Sequence, residues 1–190
     1  MNETSEIVVR VGTPDDFMNV MTLAHLVANE NAPVTPNMDK IKQGIWDALN
    51  KQGGMVGIVG PRDSSDVHGF VLLRIGPPWY SDERMIEDAG VYVHPDWRGA
   101  RHAAPSGADR AAGRSPGRAS MLYRFCKRVA DETGYKLFIG VVSQRQQESK
   151  LRYYRRFFGE QAGGFFVYDP EKAKAVEIDT MEHEKHHADS

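Results

Sequence analysis

A chain of 190 residues, 41% hydrophobic and 26% charged, is long enough for one core of ordinary size and too apolar to be disordered. Its formal net charge of -2 argues against general attraction to nucleic acid or to a membrane surface. One cysteine, Cys126, excludes an internal disulfide and fits a reducing compartment. No apolar run is long enough to span a bilayer, and the segment from Met1 to Glu6 is acidic, unlike a secretory signal. A cytoplasmic location is therefore expected.

Ile7 to Val11 has strand composition. Thr13-Pro14-Asp15-Asp16 then reads as an N-cap, an N1 proline and an acidic first turn. The helix it opens carries Phe17, Val20, Met21, Ala24 and Val27 on one face. Asn29 to Asn37, polar and with two prolines, breaks it. Met38, Ile41, Ile45, Trp46 and Leu49 mark a second helix, closed at Gly53-Gly54. Met55 to Val59 and His68 to Ile75 read as two strands of a hairpin across a polar turn.

Met85 to Val93 is the strand around which the rest is organised, and it ends at Pro95, which cannot donate to a central ladder. A glycine- and arginine-rich run follows. Leu122, Phe125 and Val129 then fall at i, i+3 and i+7, one face of a helix that stops at Thr133-Gly134. Strand, glycine loop and helix start is a phosphate cradle. Small residues let backbone approach the anion, and the first-turn N–H groups and helix dipole point at it. Leu137 to Val142 reads as a buried interior strand, and Leu151, Tyr154 and Phe158 as a last helix face. Phe165 to Tyr168 is a final strand, joined by Ala173 to Ile178.

Arg114-x-x-Gly117-x-Ala119 at a helix start, after a strand ending Val-x-Pro, resembles the acetyl-CoA loop of the GNAT-type N-acetyltransferases, written Q/R-x-x-G-x-G/A. The family runs from the proline into the loop within a few residues, as Pro95 to Ala100 begins to do. Here an insert, 101–113, comes first; the second match is chosen because a helix pattern follows it directly. The resemblance implies one domain over 7–178; the polar stretch 179–190 reads from its composition as a disordered tail. It also implies an α/β (α+β) fold: a mixed, mostly antiparallel sheet with helices on both faces, in the order β-α-α-β-β-β-α-β-α-β.

The resemblance further implies direct acetyl transfer from acetyl-CoA to a primary amine. Arg114, Gly117, Arg118 and Ala119 would hold the phosphates, and the backbone of Val91, Tyr92 and Val93 would bind the pantetheine and polarise the thioester. Tyr154 occupies the position of the family's last-helix tyrosine, a proton donor to the departing thiolate, although the family's asparagine seven residues earlier is Gln147 here and its alanine is Lys150. Glu87 is the expected general base. Simple alternation puts it on one face with Ala89, Val91 and Val93, and puts the rival carboxylate, Asp88, on the other.

Cys126 is expected to be a core residue, and the histidine-rich end (His183, His186, His187) a solvated tail, so no metal is expected. The acceptor is a small-molecule or protein amine, its identity set in this family by the loop from Asn29 to Asn37 and by strand-end loops. A homodimer is compatible with the sequence. Two other readings stand beside this one. A silent module of the same fold would hold CoA without turnover, as the inserted loop and altered last helix suggest. A nucleic-acid-associated protein would use the basic run from Arg98 to Arg128, whose only acid is Asp109. It ranks last, because the polyanionic CoA explains the same charge.

Overall fold

The computed structural model describes residues 6–31, 34–98, 117–140 and 147–163. The chain divides into two compact units, Met1–Lys150 and Leu151–Ser190.

In the first unit, two adjacent strands, β2 (Gly54–Pro61) and β3 (Gly69–Gly76), are apolar on both faces and so must be covered from both sides. Val56, Ile58 and Phe70 join one core cluster; Val59, Val71 and Leu73 join the other. The first cluster is closed by α1 (Phe17–Asn31) and α2 (Met38–Leu49), which contribute Val20, Leu23, Ile45 and Leu49. The second is closed by α3 (Arg118–Thr133), through Leu122, Phe125, Cys126 and Val129. The stripe read from the sequence is thus the buried face of α3, and Cys126 is a core residue. Helix and sheet approach tightly at Gly57, where an added Cβ would lie 2.5 Å from the Phe125 ring.

The sheet order is β1-β2-β3-β4-β5, with β1 (Ile7–Val11) at one edge. Neighbours from β1 to β4 (Met85–Val93) are antiparallel. β5 (Lys136–Phe138) is parallel to β4. The mixed, mostly antiparallel sheet with helices on both faces is the architecture expected. β5 is shorter than expected, and Phe138 is 48% exposed rather than buried. The apolar run that suggested an interior strand continues through Val141 and Val142, which lie outside the described residues.

Thr13-Pro14-Asp15-Asp16 starts a helix as read, but by a 3-10 turn, Pro14–Asp16, ahead of α1. The Asp16 carboxylate accepts from the Thr13 N–H at 2.9 Å and from both Arg10 nitrogens at 2.7 and 2.6 Å. β1 is thereby tied to the helix entry. Asn37 caps α2, its side chain accepting from the Lys40 N–H at 3.0 Å. Gly134, at φ 72°, closes α3 in the left-handed region that glycine adopts without strain.

The last helix, α4 (Gln147–Phe158), begins at the end of the first unit. In the second unit its rings pair one turn apart, Tyr153 with Phe157 at 5.0 Å and Tyr154 with Phe158 at 6.0 Å between centroids. The expected final strand at Phe165 to Tyr168, its companion at Ala173 to Ile178, the insert 101–113 and the polar tail 179–190 lie outside the described residues.

Candidate functional site

β4 carries a bulge that the sequence did not announce. Its pairing with β3 runs from Gly76 opposite Met85 to Leu73 opposite Asp88, skips Ala89, and resumes at Leu72 opposite Gly90. One extra residue reverses which face every later side chain takes. Val91 and Val93 pack with the α3 cluster, together with Ile86 from before the bulge. Tyr92 packs with the α1/α2 cluster. Glu87 therefore does not share a face with Val91 and Val93, as alternation implied. It lies opposite Arg74, on the side of Tyr92, and receives a hydrogen bond from that arginine at 3.3 Å.

The other edge of β4 is paired only at its start. β5 meets Met85, Ile86 and Glu87; among the described residues nothing pairs with Asp88 to Val93 on that side. Along that side the described ladder ends at Glu87 opposite Phe138, so the backbone groups of Asp88 to Val93 have no strand partner among the described residues. Near the Val93 end of that edge stands the start of α3. Gly117 is its N-cap, with no side-chain cap bond, and a Cβ there would meet nothing within 4 Å. The first-turn N–H groups, those of Arg118 and Ala119 among them, have no intrahelical acceptor. This strand edge and the helix start are joined through His68, at the entry to β3. Its carbonyl accepts from the His94 N–H at 2.9 Å, and its Nδ1 accepts from Arg118 Nε at 3.0 Å. Val91, Tyr92, Val93, Gly117, Arg118 and Ala119 thus come to one end of the sheet. Arg114 lies outside the described residues.

The Arg118 side chain is turned into the protein, 4% exposed, with its guanidinium carbon 4.6 Å from the centre of the Trp97 ring. Trp97 closes a 3-10 turn, Pro95–Trp97, that follows β4, and it stacks on His68 at 3.9 Å. Burial, and after it the Arg118 charge, pushes His68 down to about 4, so the imidazole is neutral at ordinary pH.

A second cluster lies across the sheet. Arg98 forms a two-pronged pair with Glu30 of α1 at 2.9 and 2.8 Å, and its Nε donates to the Val93 carbonyl at 2.7 Å. The Tyr92 hydroxyl donates to the same Glu30 carboxylate at 3.2 Å. The Arg98 hydrogen bonds, more than its charge, hold Glu30 below the usual carboxylate range. Neither Glu30 nor His68 was singled out from sequence, and nothing local marks them. Their partners are 68 and 50 residues away.

Asp88 lies on the α3 face of β4 and is half-buried, with its Oδ1 buried and lacking any hydrogen-bond partner. Burial, reinforced by Glu87 and opposed by the Gly90 N–H, pushes its carboxyl up to about 7. A group raised above its unfolded value contributes full stability below that value, about 3.9, and loses it as pH rises through the folded one. Asp88→Asn is accordingly expected to raise stability by roughly 1–3 kcal/mol at pH 8 and by little at pH 4. Urea unfolding at the two pH values checks this.

Tyr154 belongs to the second unit, where it lies beside Phe158. Among the described residues no group of histidine, cysteine and carboxylate side chains could hold a metal ion. No described helix is long and apolar enough to cross a membrane.

No protein-family profile and no curated protein sequence matches the chain. Solved structures do. A ribosomal-protein-alanine N-acetyltransferase from Brucella melitensis biovar Abortus 2308 is 17% identical, with a TM-score of 0.57 over 86% of this chain and 98% of that one. A Trypanosoma brucei acetyltransferase is 15% identical, with a TM-score of 0.57 over 86% and 99%. An aminoglycoside N-acetyltransferase in complex with CoA is 12% identical, with a TM-score of 0.60 over 89% and 97%. The fold of this chain is that of the GNAT-type acetyltransferases.

Proposed function

We propose that the chain transfers the acetyl group of acetyl-CoA directly to a primary amine. The observation that carries this reading is the edge of β4 from Asp88 to Val93, without a strand partner among the described residues, together with the glycine N-cap of α3 that His68 ties to the end of that strand. Backbone groups of Val91 to Val93 would take the pantetheine amides and polarise the thioester carbonyl as negative charge develops on it. The first turn of α3, at Gly117, Arg118 and Ala119, would take the pyrophosphate, with Arg114 beside it. Solved neighbours of the same fold include one holding CoA and one holding a bisubstrate analogue of CoA and an aminoglycoside.

The amine must lose a proton and the thiolate gain one. Glu87 is the proposed base: it is 53% exposed at its side chain and so reachable by an acceptor, on the face of Tyr92. Asp88 is half-buried on the opposite, α3 face, and its Oδ1 is buried. Tyr154 is the proposed donor to the thiolate. A CoA-binding module without turnover is the second reading, favoured by the ion pair that Glu87 forms with Arg74. The acceptor is an amine of a small molecule or of a protein.

Thiol release from acetyl-CoA across a panel of amines tests the transfer. Tyr154→Phe and Glu87→Gln are each expected to lower kcat by about a hundredfold with the best amine while acetyl-CoA affinity holds. Release that no amine stimulates would leave only the binding module. Unchanged turnover in either variant would return that side chain to a packing or surface role.

A further inference from the structure

Arg118 is an unusual residue to find at the first position of a helix. Its guanidinium is buried where the helix dipole is already positive, and burial lowers its pKa. Among the described residues no carboxylate is paired with it. Nη1 is buried and has no hydrogen-bond partner. What holds the group is uncharged: the His68 Nδ1 at 3.0 Å and the face of Trp97 at 4.6 Å. A buried cation without a counter-charge costs several kcal/mol. An anion at the same helix end would remove that cost.

We infer that His68 is a positioning residue, which with Trp97 holds the Arg118 guanidinium beneath the first turn of α3 as the fixed counter-charge for a phosphate-bearing ligand. The inference rests on the reading that places the acetyl-CoA pyrophosphate at this turn, and it adds what makes the turn rigid. His68 is suited to the task because its backbone is itself fixed. Its N–H donates to the Val59 carbonyl at 2.8 Å, and its carbonyl accepts from His94 at 2.9 Å. The imidazole must present Nδ1 as an acceptor, so its proton sits on Nε2. Three stretches far apart in sequence, the entry to β3, the turn after β4 and the start of α3, meet in this one stack.

Isothermal titration of the full chain with acetyl-CoA, and separately with inorganic pyrophosphate, tests it. Arg118→Met and His68→Leu are expected to weaken both ligands by at least about tenfold. His68→Asn, whose Oδ1 can take the Arg118 Nε–H, should stay within about threefold of the parent. A merely structural histidine would lower the melting temperature in both variants and leave the affinity of the folded protein alone. His68→Leu that is folded by circular dichroism and binds both ligands as the parent does would overturn the inference. Should that variant not fold, long-range nitrogen–proton NMR of the parent decides. An unprotonated Nδ1, with an Arg118 Nε–H resonance that moves on adding pyrophosphate, supports it, and a proton on Nδ1 refutes it. The two readings fail separately. Pyrophosphate binding that needs His68, without acetyl-CoA binding, keeps this inference and removes acetyl transfer; acetyl-CoA binding indifferent to His68→Leu does the reverse.

Discussion

Gly117→Glu is expected to abolish acetyl-CoA binding while leaving the protein as stable as before, or slightly more so. Gly117 is at φ -60° and ψ 155°, backbone that any residue adopts, and a Cβ there meets nothing within 4 Å. A glutamate at the N-cap places negative charge at the positive end of the helix, which is worth about 0.3–1 kcal/mol to the fold. The same carboxylate repels the pyrophosphate and competes for the first-turn N–H groups. Two charge-assisted hydrogen bonds at about 1.5–3 kcal/mol each correspond to a loss of roughly 10²–10⁴-fold in affinity. Titration calorimetry beside thermal unfolding reads both halves of this expectation. The opposite pattern, destabilisation with affinity kept, would mean that the phosphates sit elsewhere.

Asp16→Ala should give the largest loss of stability of any single carboxylate. Asp16 is 5% exposed and serves two elements, taking both Arg10 nitrogens from β1 and the Thr13 N–H at the helix entry. Removing one member of a buried pair leaves the other uncompensated, typically at 3–5 kcal/mol. The Arg10 side chain is 35% exposed, which lets water take over part of the charge, so roughly 2–4 kcal/mol is expected. The Arg10 hydrogen bonds hold the Asp16 carboxyl below its ordinary value. A depressed carboxylate contributes its stability above the unfolded value, near pH 4, and loses it as pH falls through the folded one. The gap between parent and variant should therefore be widest at neutral pH and close in acid. A gap that does not change with pH would contradict the pairing.

Much of this fold was legible because its signals are local. Thr13-Pro14 announces the entry to α1 and Gly134 ends α3, each by a local backbone preference that few residue types meet. The start of α3 was legible from Gly117 and the stripe Leu122, Phe125 and Val129, all three of which are buried. The bulge at Ala89 was not, since it is a property of two strands in register and leaves no mark on one of them. That single residue decides whether Glu87 or Asp88 faces Tyr92. The pairings of Arg98 with Glu30 and of Arg118 with His68 were hidden for a similar reason. Each joins residues that only the closed sheet brings together.

Binding of acetyl-CoA by the intact protein is the claim on which the rest stands, and a thermal unfolding series across cofactor concentrations measures it most directly. A ligand that binds only the folded state adds RT ln(1 + [L]/Kd) to stability, about 1.4 kcal/mol for each tenfold rise above Kd. The melting temperature is expected to climb steadily with acetyl-CoA and to stay flat for Gly117→Glu. A melting temperature unmoved by millimolar acetyl-CoA would contradict both the proposed transfer and the CoA-binding module.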